Sequence, residues 1–292
     1  MSLSHFLSVC VCVKNERRYL DEFVKHYLLQ GADHIYIVNN GSTDGIEDWV
    51  ERHDFRSSLT LLHDPRDLKI LTANAGAEGH RTLLNDNMFE RAREETEWLC
   101  VVDADEFMFG KNGHTIRSYL KTCVPGDVGC VYVLWNIINP PLPLQESFSL
   151  SDFQSQRRLN YDLFERMSPE VRNANDFGKS IVRTSMLSER HKLWIHKIQT
   201  TGKTVTNYYV EKPAGVYDNC SGVERSEEAY ANLKITMNHY AIRNLADFDK
   251  KNGQIVAVDH KAVFIRGLFQ MLELDAEMLV VDPDSPGRRL LF

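Results

Sequence analysis

Apolar positions in the first half of the chain fall into short runs separated by longer, one-sided stretches. Phe6 to Val13 is apolar on both faces, with Val9, Val11 and Val13 alternating with Cys10 and Cys12. A short run without polar alternation predicts a central strand covered on both sides. From Arg17 to Gln30, Leu20, Phe23, Val24, Tyr27 and Leu28 recur at the spacing of one helical stripe, and Gly31 ends it. His34 to Val38 predicts a second strand. The polar run Asn39-Asn40-Gly41-Ser42-Thr43-Asp44-Gly45 then predicts a loop in which Ser42 or Thr43 caps a helix through Trp49. Leu59 to Leu62 predicts a third strand and Arg81 to Glu95 a helix. Trp98 to Val102 predicts a fourth strand, running into Asp103, Ala104, Asp105 and Glu106.

Strands alternating with helices predict an α/β fold with a parallel sheet and right-handed crossovers. Ligands on such sheets bind outside the carboxyl ends of the strands. Lys14 to Glu16, Asn39 to Asp44 and Asp103 to Glu106 all fall at those ends, which favours one shared site. The second half is less regular. Cys130 to Ile138 and Leu233 to Ile242 predict strands, with weaker ones at Ile181 to Thr184 and Thr204 to Tyr209. Pro140, Pro141 and Pro143 mark a break. The expectation is one domain over 1–292, with a ligand-binding half at 1–110, a less regular half at 111–292, and an insertion or lid at about 139–176.

With 292 residues, 43% hydrophobic and 26% charged, the chain is ordinary globular material rather than disordered or fibrous. A net charge of -7 argues against broad nucleic-acid binding. No apolar run reaches the roughly 18 residues of a spanning helix. The N-terminal apolar run lacks a basic lead and a small-residue cleavage site, so a signal peptide is not expected. The six cysteines form no C-x-x-C pair and sit mostly in apolar runs, as buried free thiols do. A cytoplasmic location is the resulting expectation, with loose association to a membrane-bound precursor left open.

Asp103 and Asp105 are two apart, so in extended backbone they share a face. With Glu106 they make a carboxylate cluster whose members repel and raise one another's pKa values. A divalent cation relieves that repulsion, and hard oxygen ligands suit magnesium or manganese. The alternative is that these acids cap the next element or pair with Arg or Lys.

The residues Val13-Lys14-Asn15-Glu16, Glu22-Phe23, Gly31-Ala-Asp33-His34, Asn40-Gly41-Ser42-Thr43-Asp44, Asn85-Asp86, Trp98 and Asp103-Ala-Asp105-Glu106-Phe107 occur in order. This pattern resembles the family 2-like and family 92-like glycosyltransferases, which have the GT-A fold. The resemblance is strong over Val9 to Phe109. It continues more thinly through Lys179-Ser-Ile-Val-Arg183, His196, Asn238-His239-Tyr240 and Lys250 or Lys251.

The resemblance implies metal-dependent transfer of a sugar from a nucleotide diphosphate-sugar donor to the hydroxyl of a glycan or glycoconjugate acceptor, with inversion. It places Asp103 near the ribose or metal, makes Asp105 a ligand of Mn2+ or Mg2+, and makes His239, or His196 in its stead, a metal or diphosphate contact. Lys14, Asn15 and Glu16 would border the nucleotide, Asn39 or Asn40 would meet base or ribose, and Asn85 belongs to the same pattern. Asn39 stands where the family usually has an acid; Phe23 and Tyr27 replace its usual Trp and His. A proton-accepting carboxylate is needed, and Glu106, Glu165, Asp176 and Glu189 all remain open. Trp194, Tyr208 and Tyr209 are either acceptor-stacking or structural aromatics. Two other classes stay in view: an inactive relative that binds glycans or partners, and a sugar nucleotidyltransferase. The latter lacks its Gly-rich phosphate loop at Lys14-Asn15-Glu16-Arg17.

Overall fold

β1 (His5–Val13) is buried along almost its whole length, as its two-sided apolar pattern requires. In the computed structural model, the described residues are 3–66, 85–138, 146, 177–188, 196, 198–212, 223, 226–244 and 247. The expected insertion at 139–176, the first turn of the Arg81 helix, and Glu165, Asp176, Glu189, Trp194, Lys250 and Lys251 lie outside them.

β1 pairs in parallel with β2 (His34–Asn39) on one side and β4 (Thr96–Val101) on the other, and β3 (Leu59–His63) pairs in parallel with β2. The remaining strands are β5 (Glu106–Gly110), β6 (Val128–Ile137), β7 (Gly178–Arg183), β8 (Lys203–Thr206), β9 (Glu211–Lys212) and β10 (Ile235–His239). The sheet runs β3-β2-β1-β4-β7-β6-β10-β5, with β8 and β9 branching from β6. β7 is antiparallel to both β4 and β6, so the parallel half predicted from the alternation ends at β4.

The helices are α1 (Arg17–Leu29), α2 (Ile46–Arg52), α3 (Glu90–Glu95), α4 (Ile116–Thr122) and α5 (Glu227–Ala231). α1 buries Tyr19, Leu20, Phe23, Val24 and Tyr27, the stripe seen in the sequence. Tyr27 Oη donates to the Glu106 carbonyl at 2.8 Å and accepts from Met108 N at 3.1 Å, so α1 pins the start of β5. The predicted helix over 81–95 is a π-turn at Asn85–Phe89 followed by α3. No helix among the described residues is long and apolar enough to cross a membrane.

Contacts divide the chain into two units: Met1–Leu134 with Gly178–Met237, and Trp135–Phe177 with Asn238–Phe292. In the first, Cys10, Tyr36, Leu99, Val101, Tyr132, Leu134 and Val182 belong to one apolar core. In the second, a buried Arg243 donates from Nε to Asp247 Oδ2 at 2.6 Å, and the Ile138 amide donates to the His239 carbonyl at 3.0 Å.

At the opposite end of β2 from its polar loop, His34 stacks on His5 with ring centroids 4.8 Å apart and bonds Thr60. Burial first, and the neighbouring His5 second, hold the His34 imidazole down at about 4. A histidine depressed in the folded state is protonated first in the unfolded state, so stability falls as pH drops from about 6.5 towards 4. The midpoint of His34→Asn should therefore depend less steeply on pH over that window than the wild type's. Parallel melting curves from pH 7 to pH 4 would refute this.

Candidate active site

The loops after β1 and β2 are laced together. Asn15 takes a left-handed backbone with φ 58, a conformation that asparagine tolerates better than most residues. Its Oδ1 accepts from the Thr43 amide at 2.7 Å, and its own amide donates to Ser42 Oγ at 3.0 Å. The Arg17 amide donates to Asp44 Oδ2 at 2.8 Å. Ser42 and Thr43 thus bind the neighbouring loop and do not cap α2, which follows a left-handed Gly45 without a side-chain cap. Lys14 is exposed and Glu16 half-buried at the head of α1.

Asn39 and Asn40 are both buried but differ in use. Asn39 Nδ2 donates to Glu47 Oε1 and its Oδ1 accepts from the Ser42 amide, both at 2.8 Å, so both ends hold the loop. An amide does here what an acid cannot, since the Glu47 carboxylate needs a donor. Asn40 Nδ2 donates to the carbonyls of Asp64 and Arg66 at 2.8 and 2.7 Å, while its buried Oδ1 has no hydrogen-bond partner among the described residues. Beside it, the Arg66 guanidinium and then the Asn87 amide hold the Asp64 carboxyl below its usual range against the opposing effect of burial. Asn85 lies on the same π-turn as Asn87, with its side chain outside the description. Cys12 faces this region from β1. Burial pushes its thiol up to about 12, with Asp103 and Asp64 adding to the effect, so it stays protonated.

At the carboxyl end of β4 the chain does not continue extended. Ala104 and Asp105 form a tight turn, the Glu106 amide donates to the Asp103 carbonyl at 3.1 Å, and the Asp103 amide donates to Glu106 Oε2 at 2.8 Å. The two aspartates are therefore arranged by a turn and not by strand alternation. A carboxylate oxygen of Asp105 lies within 4.8 Å of one of Glu106. Asp105 is half-buried and Glu106 fully buried.

Lys179 completes the turn. β7 runs antiparallel to β4 with Cys100 opposite Ile181, so two residues further along, Lys179 arrives beside the end of β4. The preceding Gly178 fits because a Cβ there would stand 2.2 Å from the Val133 carbonyl oxygen. Lys179 Nζ is 2.7 Å from Asp103 Oδ2 and 3.5 Å from Glu106 Oε2, and the side chain is 1% exposed. Burial opposes its charge, but Asp103 and then Glu106 raise it well above the usual lysine range. Burial likewise opposes the Asp103 charge, and Lys179 more than compensates, holding that carboxyl below its usual range. The mutual repulsion among the acids, expected from their spacing, is thus opposed inside the protein by a buried ammonium. A lysine opening an apolar strand was visible in the sequence, but the crossing that brings it to Asp103 was not.

His196 carries Nδ1 3.3 Å from the Gly178 carbonyl, and its own carbonyl accepts from Ser180 Oγ at 3.0 Å, so it lies against the start of β7. His239 is the last residue of β10 and belongs to the second unit, where its buried ring packs 4.6 Å from that of Trp135. Tyr208 packs against the apolar core. Tyr209 is exposed with φ 62, its Oη donating to the Asn232 carbonyl at 3.2 Å.

A parallel α/β half with an acidic turn at the carboxyl end of an inner strand has the layout of a ligand-binding α/β protein. The chain belongs to glycosyltransferase family 92, whose model matches residues 5–252. A family 92 protein of Arabidopsis thaliana is 22% identical over 218 residues, 71% of this chain and 35% of its own. One of Oryza sativa subsp. japonica is 28% identical over 119 residues, 40% of this chain and 18% of its own. The chain thus spans about a third or less of these curated relatives. Among solved structures, S. aureus TarS 1-349 aligns over 95% of this chain and 73% of its own at 14% identity with a TM-score of 0.36. The galactosyltransferase LgtC, bound to donor and acceptor sugar analogs, aligns over 86% and 97% at 8% identity with a TM-score of 0.37.

Proposed function

We propose that this chain transfers a sugar from a nucleotide diphosphate-sugar to a hydroxyl of a glycan or glycoconjugate acceptor, with inversion and with Mn2+ or Mg2+ bound. The observation that carries the proposal is the Asp103-Ala-Asp105-Glu106 turn at the carboxyl end of β4 in a family 92 chain. Its donor set is hard carboxylate oxygen, which fits magnesium or manganese. A divalent cation there would supply Lewis-acid stabilisation of the charge on the departing nucleoside diphosphate.

Asp105 is the protein's principal ligand in this proposal, with His239 contributing from the end of β10 as the family resemblance implies. Asp103, held by Lys179, faces the ribose side. Glu106 spends its Oε2 on the Asp103 amide and Lys179, and so keeps the turn in shape. Lys14, Asn15 and Glu16 border the nucleotide, and Asn40, whose Oδ1 has no hydrogen-bond partner among the described residues, is better placed than Asn39 to meet base or ribose. Asn85 stands on the turn that supplies Asn87, a partner of Asp64.

The test is a thermal-shift panel of UDP, GDP, CDP and ADP, each with and without manganese. A ligand that binds only the folded state, at about 100 times its dissociation constant, adds roughly 2.7 kcal/mol. A manganese-dependent rise for one nucleotide is expected, and identifies the donor base. No response to any of the four would count against the transferase.

A further inference from the structure

Three carboxylates meet at the turn after β4, and the charge of one buried ammonium, Lys179, bears on all of them. Asp103 and Glu106 both reach the same buried ammonium, at 2.7 and 3.5 Å, and the Asp103 amide ties the two together through Glu106 Oε2. Asp105 sits on the turn itself, between them in sequence. We infer that Lys179 is an internal counter-cation and positioning residue. It holds Asp103 and Glu106 in place and sets the charge that an incoming divalent cation meets at Asp105.

This inference rests on the proposed transferase site and deepens it. The charge arithmetic is direct. Lys179 offsets one of the three negative charges of Asp103, Asp105 and Glu106. An incoming divalent ion thus meets one negative charge fewer, and is held less tightly before the diphosphate arrives. A buried lysine that served packing alone would not need two carboxylates, and its apolar neighbours in β7, Ile181 and Val182, show what packing alone selects at this strand. The geometry is also costly: a buried ion pair is commonly no more stabilising than apolar residues of the same shape. The function of the charge is what accounts for it.

The experiment measures manganese binding by electron paramagnetic resonance of the free ion, with no sugar donor present. It is done with Mn2+ alone and again with the nucleoside diphosphate that raises the melting midpoint. Lys179→Met leaves the cluster one unit more negative and should bind manganese at least about tenfold more tightly, a low bound on what a unit charge a few ångströms from a divalent ion contributes at an effective dielectric near 20. Tighter metal with impaired donor turnover is a split that a merely structural lysine does not produce, because loosening the turn weakens both. Lys179→Met/Glu106→Gln restores the wild-type net charge and removes the buried carboxylate that the single variant strands, so it keeps the test open if the single variant does not fold. Its manganese affinity should match the wild type within about threefold. Folded Lys179→Met with unchanged or weaker affinity overturns the role of Lys179, and so does a double variant about tenfold weaker than wild type. A wild type that binds no manganese under either condition overturns the metal proposal itself, and the inference falls with it.

Discussion

Replacing Asp105 by Asn lowers turnover of the nucleotide-sugar at least about 100-fold, the scale on which a lost electrostatic stabiliser of a developing charge acts, while the melting midpoint stays within a few degrees. The side chain is half-buried on a turn whose backbone is held by Asp103 and Glu106, so the isosteric amide removes a charge and leaves those hydrogen bonds in place. The measurement pairs steady-state turnover at saturating manganese with a melting curve of the same preparation. Turnover within about threefold of wild type would remove Asp105 from the site. A collapse of both turnover and midpoint would make it a structural residue.

Lys179→Met is the variant with the largest expected effect on stability. Removing one partner of a buried ion pair costs about 3–5 kcal/mol, because the remaining charge is left without compensation. Glu106 is the exposed nerve of that change: it is fully buried and cannot turn to water, whereas Asp103, with 46% of its side chain exposed, can. At roughly 2–4 °C per kcal/mol for a domain of about 150–250 residues, the midpoint falls by about 10 °C. The added Glu106→Gln change recovers most of the loss. Lys203→Met serves as the control, since its partner Asp127 and Lys203 itself are half-exposed and such pairs contribute little. Equal midpoints for Lys179→Met and Lys203→Met would show that the buried pair does not bear on stability.

Much of the parallel half was legible from the chain. Two-sided apolar runs announced β1 and β2, and a helical stripe announced α1, because burial on a sheet or against it imposes those periods directly. Less followed where polar residues had several ways to be satisfied. Ser42 and Thr43 read as helix caps, yet they bind Asn15, since a hydroxyl near a helix start serves whichever amide the fold brings closest. Which of Asn39 and Asn40 meets base or ribose stayed open in sequence. Asn39 proves committed at both ends to its own loop, and Asn40 keeps a buried oxygen without a hydrogen-bond partner among the described residues. β5 and α4 were not anticipated. β5 starts at Glu106, inside the acidic segment, so its polar first residue masked the apolar Phe107 and Met108 behind it.

The acidic segment shows the division most clearly. The sequence by itself determined that three carboxylates gather after an apolar strand, in a pattern resembling the family 2-like and family 92-like glycosyltransferases. Both facts depend only on which residues follow which. It did not determine the charge state of the cluster. That depended on Lys179, 76 residues away along the chain, reaching Asp103 through an antiparallel crossing of β7 and β4. Coulombic interaction depends on distance in space and on exclusion of water, neither of which is written in local spacing. Only the tertiary structure brought a buried ammonium to these acids, and so offset part of their charge inside the protein.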